Sequence, residues 1–333
     1  MQFPSVLGAV VATTALLVGG CAAAEPGGTH GSAPSPDDSP SRSAPPAANQ
    51  ELPAGWRWES YGGVQVGVPG SWGWGNGSQR LDQWCVEQDH PPIVGRPGAA
   101  TLVGCAEGAD PPRSTRLRFT GPIVAFDRPE HPEDRTAHVG DRTTVVRNGV
   151  EVIIQAPAGL RRRIAATVHE VEVDVNGCPV LHPVIDDPAR RPEPAADVAG
   201  LRDVTAVSAC RYALTGQSYG ADPRLISSLR LTGPDAARAV RAIAAAPRGS
   251  GPNAPDSCLA EVSYGDDMIV LRVDGAGAQS QVYLRYSGCD HSGFDDGTSI
   301  RRLTRAAALP FLRGPNELYS FSGPASKVRI LRP

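Results

Sequence analysis

Gly216-Gln217-Ser218-Tyr219-Gly220 matches G-x-S-x-G, the turn that presents a nucleophilic serine in α/β-hydrolases. There the glycines permit a strained strand-to-helix turn, and an acid and a histidine follow in the chain. Here a strand-like segment precedes Ser218, and Asp266 or Asp267 and His291 follow it. Asp222-Pro223, however, interrupts the helix that should come next, and the chain lacks the alternating strands and helices of a parallel sheet. No catalytic residue is assigned on this basis; a surface serine hydrolase using Ser218 stands as an alternative reading. Gly288 to Thr298 is the densest polar cluster, and Asp290, Asp295 and Asp296 could hold a cation. Its spacing is not that of an EF-hand loop, and Asp-Asp-Gly-Thr is ordinary turn chemistry. His131, Glu133, Asp134 and His138 are close in sequence, but Pro129 and Pro132 break any helix that would align them. That stretch reads as a solvated loop. No metal site and no cofactor site is expected, and the chain has neither a P-loop nor a dinucleotide fingerprint.

The cysteines carry a clearer message. Val18-Gly19-Gly20-Cys21 ends an apolar run from Phe3 and has the form of a bacterial lipobox. The run has the length of a signal-peptide core and is short for a membrane span. Small residues before Cys21 suit a signal peptidase, and the thiol can take a diacylglycerol, whose buried methylenes contribute about 0.8 kcal/mol each. Residues 1–20 are therefore expected to be a signal peptide. Residues 21–50 are expected to be a lipidated, disordered tether, since Ala22 to Gln50 has no large apolar residue. Such a chain spans about 30 Å root-mean-square. Removing Cys21 from the seven cysteines leaves an even number, on the side of the membrane where disulfides persist. Pairing of sequence neighbours is expected: Cys85–Cys105, Cys178–Cys210 and Cys258–Cys289. Each would close a loop of about 20 to 30 residues.

The elements that would position these groups are short. Gly 37 and Pro 32 are high and aromatics are 5%, as in a chain rich in turns and strands. The net charge of -3 gathers no nucleic acid, and Lys327 is the sole lysine beside many arginines. Two regions are expected, 51–176 and 177–333. In the first, Trp56, Trp58, Trp72, Trp74 and Trp84 cluster, and are read as core bulk in preference to a ligand platform. Val64, Val66 and Val68 alternate up to Pro69-Gly70. Thr101–Val103 reads as a short strand. Thr143–Val146 and Val150–Gln155 read as a hairpin around Asn148-Gly149. Pro157 opens a short helix with Leu160, Ile164 and Val168 inward and Arg161, Arg162 and Arg163 outward. Glu170 to Val175 reads as a strand with Val171, Val173 and Val175 inward. In the second region Pro183–Pro194 reads as a surface loop, and Val204–Leu214 and Leu225–Leu231 as strands. Gly233-Pro234-Asp235 opens a helix. Met268–Val273 and Gln281–Tyr286 form a hairpin, and a short helix follows Thr304. The fold class is α+β, mostly antiparallel β with a few short helices.

Taken together, the lipobox, Val66-Gly67-Val68-Pro69-Gly70-Ser71-Trp72-Gly73, Trp84-Cys85, Val94-Gly95-Arg96-Pro97-Gly98 and Gly288–Thr298 with Arg301-Arg302-Leu303-Thr304 resemble uncharacterised lipoproteins of high-GC Gram-positive bacteria. The resemblance implies a lipid anchor at Cys21 on the extracytoplasmic face of the cell membrane. It implies no activity. A helix followed by a Cys-bounded hairpin is also similar to the secreted subtilisin-inhibitor fold, whose reactive-site motif is not recognisable here. The expected function is a membrane-anchored binding or envelope-interaction protein, whose ligand is an envelope component, a peptide or a protein. The alternatives are the Ser218 hydrolase and a protease-inhibitor-like module.

Overall fold

A computed structural model describes residues 51–74, 91–96, 121–194, 197–214, 224–276, 278–318 and 331. Cys21, Cys85, Cys105, Trp84, the Thr101–Val103 stretch and the Ser218 motif lie outside the described residues. The described part is mostly antiparallel β-sheet with three short α-helices.

The chain enters through β1 (Trp56–Tyr61) and β2 (Val64–Pro69), an antiparallel pair turned by Gly62 and Gly63. Both glycines have positive φ, which two-residue hairpin turns require. β3 (Gly73–Trp74), β4 (Ile93–Gly95) and β5 (Ile123–Asp127) run parallel. β6 (Arg135–Val139), β7 (Arg142–Arg147) and β8 (Val150–Gln155) complete a mixed six-stranded sheet of order β3-β4-β5-β8-β7-β6. The β7–β8 turn is Asn148-Gly149, both at positive φ. α1 (Ala158–Ala165) follows, then β9 (His169–Glu170), which adds to β2 as the third strand of the first sheet. Val64, Val66 and Val68 pack with Phe126, Val152, Ile154 and Ile164 between this small sheet and the mixed one.

β10 (Ala206–Ala213) and β11 (Leu225–Thr232) pair next, and α2 (Gly233–Ala245) leaves β11 at once. β12 (Asp267–Gly275), β13 (Ala278–Arg285), β14 (Gly293–Asp295) and β15 (Ile300–Arg301) extend an antiparallel sheet of order β11-β10-β12-β13-β14-β15. α3 (Arg305–Ala308) is capped by Thr304, whose hydroxyl accepts the Ala307 N–H. One face of this sheet, with Val207, Ile269, Leu271 and Leu284, is covered by α2 and α3. The other face, with Cys210, Tyr212, Val270 and Tyr283, packs against Cys178, Val184 and Ile185.

Three expectations change. The polar 127–140 stretch is not all loop: Arg135–Val139 is β6, an edge strand whose residues after Arg135 are exposed. Both its faces meet water, so no apolar alternation marks it. Pro183–Pro194 is more than a surface loop, although most of its residues are exposed. It is a strap across the sheet that buries Val184 and Ile185 and lets Arg191 reach Asp295. Finally, Glu170–Val175 does not turn its valines inward. Its strand proper is only β9, and Val173 and Val175 are 54% and 55% exposed.

Candidate functional site

The inverted valines belong to a hairpin that runs on from β9. Val171 N–H donates to Gly63 O, Val180 N–H to Glu172 O, and Asp174 N–H to Cys178 O, each at 2.9 Å. Val173 lies opposite Pro179, and the turn is Asn176-Gly177, with Gly177 at φ +80°. Period-two alternation then puts Val171, Val173 and Val175 on the same side as Pro179 and Leu181. Leu181 is 70% exposed.

The opposite side explains the choice. It carries Asp174 and Cys178, both buried. Asp174 Oδ1 accepts the N–H groups of Asn176 (2.9 Å) and Cys178 (2.8 Å), and Oδ2 accepts the Ser228 hydroxyl. Burial pushes the Asp174 carboxyl up from its ordinary range, and these hydrogen bonds oppose the shift. Cys178 is bonded to Cys210 on β10, and the Tyr212 hydroxyl donates to Pro179 O at 2.7 Å. Beyond the hairpin His182 sits between the rings of Tyr212 (5.3 Å) and Tyr283 (5.8 Å). Its Nδ1 accepts the Val184 N–H at 3.3 Å, and burial lowers its pKa to about 4. A disulfide, a carboxylate network and a buried imidazole thus hold one face down and leave the aliphatic face in water.

A second loop repeats the arrangement. Cys258–Cys289 ties a pair of 3-10 turns, Pro255–Ser257 and Ala260–Val262, to the end of β13. Leu259 is 70% and Val262 39% exposed, and Tyr264 stacks on His291 at 4.4 Å. At Gly265 and Gly288 an added Cβ would fall 2.1 Å from Ser287 Oγ and Ser263 O, so only glycine allows the two backbones this approach. Among the described residues six large aliphatic side chains are conspicuously exposed. Five of them (Val173, Val175, Leu181, Leu259 and Val262) lie within five residues of a bonded cysteine; Val139 is the sixth.

The groups singled out for chemistry are placed differently. Asp267 Oδ2 takes Arg211 Nε at 3.0 Å as well as Nη2. Asp266 O accepts the Leu214 N–H at 2.9 Å, while His291 Nε2 lies 3.8 Å from Asp290 Oδ2 and against Tyr264. Asp295 is gripped by Arg191 (2.7 Å) and Arg285 (3.1 Å), and Asp296 accepts the N–H groups of Val198, Thr298 and Ser299. The lone pairs a cation would need are occupied by protein donors. Asp134 accepts Asn148 N–H, and His138 Nδ1 faces Thr143 Oγ1, on separate partners. No three His, Cys, Asp or Glu among the described residues are grouped as a metal-ligand set.

The described tryptophans are taken up by the protein. Trp72 is buried. Trp74 Nε1 donates to buried Glu59 (2.9 Å), and Arg57 lies 4.2 Å over its ring. Trp58 meets the His169 edge, and the Arg163 guanidinium stands over Trp56. Glu59 also receives Arg96 at 2.5 Å.

Leu181 and Asp174 were not anticipated as site residues. The signal was Asn176-Gly177 itself, a hairpin turn whose register puts Asp174 on the same side as Cys178. Comparison of the chain with family models, with curated proteins and with solved structures found no match.

Proposed function

We propose that the chain is a lipoprotein, anchored through Cys21 on the extracytoplasmic face of the membrane, that works by contact and carries out no catalysis. The observation that supports contact is the clustering of exposed aliphatic side chains beside the two disulfides. Exposed apolar area forgoes about 25 cal/mol per Å² of burial, and contiguous exposure is a mark of interaction surfaces. Cross-linking such loops to a sheet lowers the entropy lost when they are covered. The anchor draws on Val18-Gly19-Gly20-Cys21 and on the even number of cysteines left once Cys21 is set aside.

Two experiments test this reading. A Cys21→Ala variant should leave the membrane fraction or accumulate with its signal peptide uncleaved; unchanged membrane retention would refute the anchor. Cross-linking in intact envelopes should give adducts with wild-type protein that fall at least tenfold in a Val173→Asp/Leu181→Asp/Leu259→Asp variant. Equal yields would sink the contact surface. A surface hydrolase using Ser218 is the alternative reading, drawn from Gly216-Gln217-Ser218-Tyr219-Gly220. Stoichiometric labelling of Ser218 by a fluorophosphonate would favour it over the binding reading.

A further inference from the structure

We infer that β6 pairs edge to edge with β6 of a second copy of this chain, joining two mixed sheets across a twofold axis. β6 lies at the open end of the order β3-β4-β5-β8-β7-β6, and among the described residues only β7 bonds to it. Thr136 to Val139 are all exposed. Val139, at 70%, is the one conspicuously exposed aliphatic residue that lies beside neither described disulfide. The contact uses none of the residues beside those disulfides and does not depend on the lipid anchor.

The hydrogen-bonding parity of the strand fixes what can sit there. Gly140-Asp141 is a two-residue turn with Gly140 at φ +59°, so Val139 and Arg142 close it as a hydrogen-bonded pair. Alternation makes Ala137–Thr144 and Arg135–Val146 the next such pairs. The N–H and C=O groups of Thr136 and His138 therefore point away from β7, and a row of main-chain donors and acceptors is complementary to another extended main chain. Nothing on β6 guards against it. The strand has no lysine or proline and no register shift against β7, and Arg135, at its first position, is its only formal charge. The same parity selects a second copy. Antiparallel pairing centred on Ala137 sets Thr136 of each copy opposite His138 of the other, and every outward group finds its mate. Ala137 meets Ala137 at a non-hydrogen-bonded position, where Cα atoms lie about 4.5 Å apart and a methyl group fits. Val139 falls opposite the aliphatic stem of the second copy's Arg135, on the face that Ala137 shares. That Arg135 guanidinium then comes alongside exposed Asp141, so charge is complementary at both ends of the contact. A strand contact this short buries less than about 1,200 Å², the weak and transient class, so pairing rises with concentration.

The test uses the full-length protein carrying Ala137→Cys, mildly oxidised and digested, with linked peptides identified by mass spectrometry. A thiol at 137 meets its twofold mate at a separation that a disulfide spans. Position 139 lies four residues along the strand from its own mate, about 13 Å away. Ala137→Cys should therefore give disulfide-linked dimer in at least fivefold the yield of Val139→Cys. Adding His138→Pro removes an outward N–H and leaves the bonds to β7, and should bring the yield down to that of Val139→Cys. Thr136→Pro serves in the same way if His138→Pro does not fold. Equal yields from Ala137→Cys and Val139→Cys, or a yield that proline leaves unchanged, would overturn the self-pairing and leave the edge to a strand of another protein.

Discussion

Asp174 shows how one side chain can decide the orientation of a strand. Its carboxylate satisfies two backbone N–H groups and a serine hydroxyl in a buried site. Asp174→Ala would leave these donors without their acceptor and should cost about 2–3 kcal/mol in urea unfolding at pH 7. Asp174→Asn keeps an acceptor for the two N–H groups and should lose less than half of that. Because burial raises the Asp174 pKa, its favourable contribution declines as pH rises through the folded value, and the neutral Asn removes that dependence. His182 acts in the opposite sense. Its folded pKa of about 4 lies below the ordinary 6.5, so the unfolded chain binds the extra proton. Stability tied to His182 is complete above pH 6.5 and drains away as pH falls towards 4. Urea midpoints should drop across that window in the wild type, and drop less in His182→Gln. Equal slopes would assign the loss to other groups.

At the scale of elements, each described disulfide fastens a surface loop, and the two differ in access. Cys178 and Cys210 are fully buried beneath the hairpin, whereas Cys258 and Cys289 are partly exposed. Dithiothreitol with stepwise alkylation and mass spectrometry should therefore open Cys258–Cys289 first, with Cys178–Cys210 reduced only as the fold is lost. Simultaneous loss of both would show that the hairpin opens as readily as the outer loop. Breaking Cys178–Cys210 by Cys178→Ala/Cys210→Ala releases a constraint worth about 3–4 kcal/mol in the chain-entropy model. Several elements were legible from local pattern. Asn148-Gly149 turns a hairpin because both residues tolerate positive φ, and Gly233-Pro234-Asp235 starts α2. β6 was not legible, because an edge strand wetted on both faces carries no apolar period. The parallel β3, β4 and β5 were not legible either, since two of them are only two or three residues long.

Across the whole molecule, strands of the two sequence regions are bonded to each other. Gly62 N–H donates to Leu225 O at 2.8 Å and Leu225 N–H to Val180 O at 2.9 Å, so β11 joins both the β1–β2 turn and the hairpin. Asn316 bridges Ser227 and Ala209 O beneath the second sheet, and Gly314 lies against the Trp74 ring of the first region. All five tryptophans precede residue 176, so their fluorescence reports mainly the first region. Its denaturation midpoint should coincide with that of far-UV circular dichroism, which reports both. Separate midpoints would mean that the two regions unfold independently. By itself the sequence determined the local features: an antiparallel β-rich chain, its hairpin turns and α2; among the possible cysteine pairings it favoured sequence neighbours, and the structure pairs Cys178 with Cys210 and Cys258 with Cys289. These follow from backbone preferences and short loop closure, which are properties of neighbouring residues. Only the tertiary structure decided which face of the 171–175 strand is wet. A period of two says which side chains share a face, while the covered face depends on what lies opposite. Here β10 and β11 lie opposite, with Cys210 and Ser228 waiting for Cys178 and Asp174, and the valines are left outside.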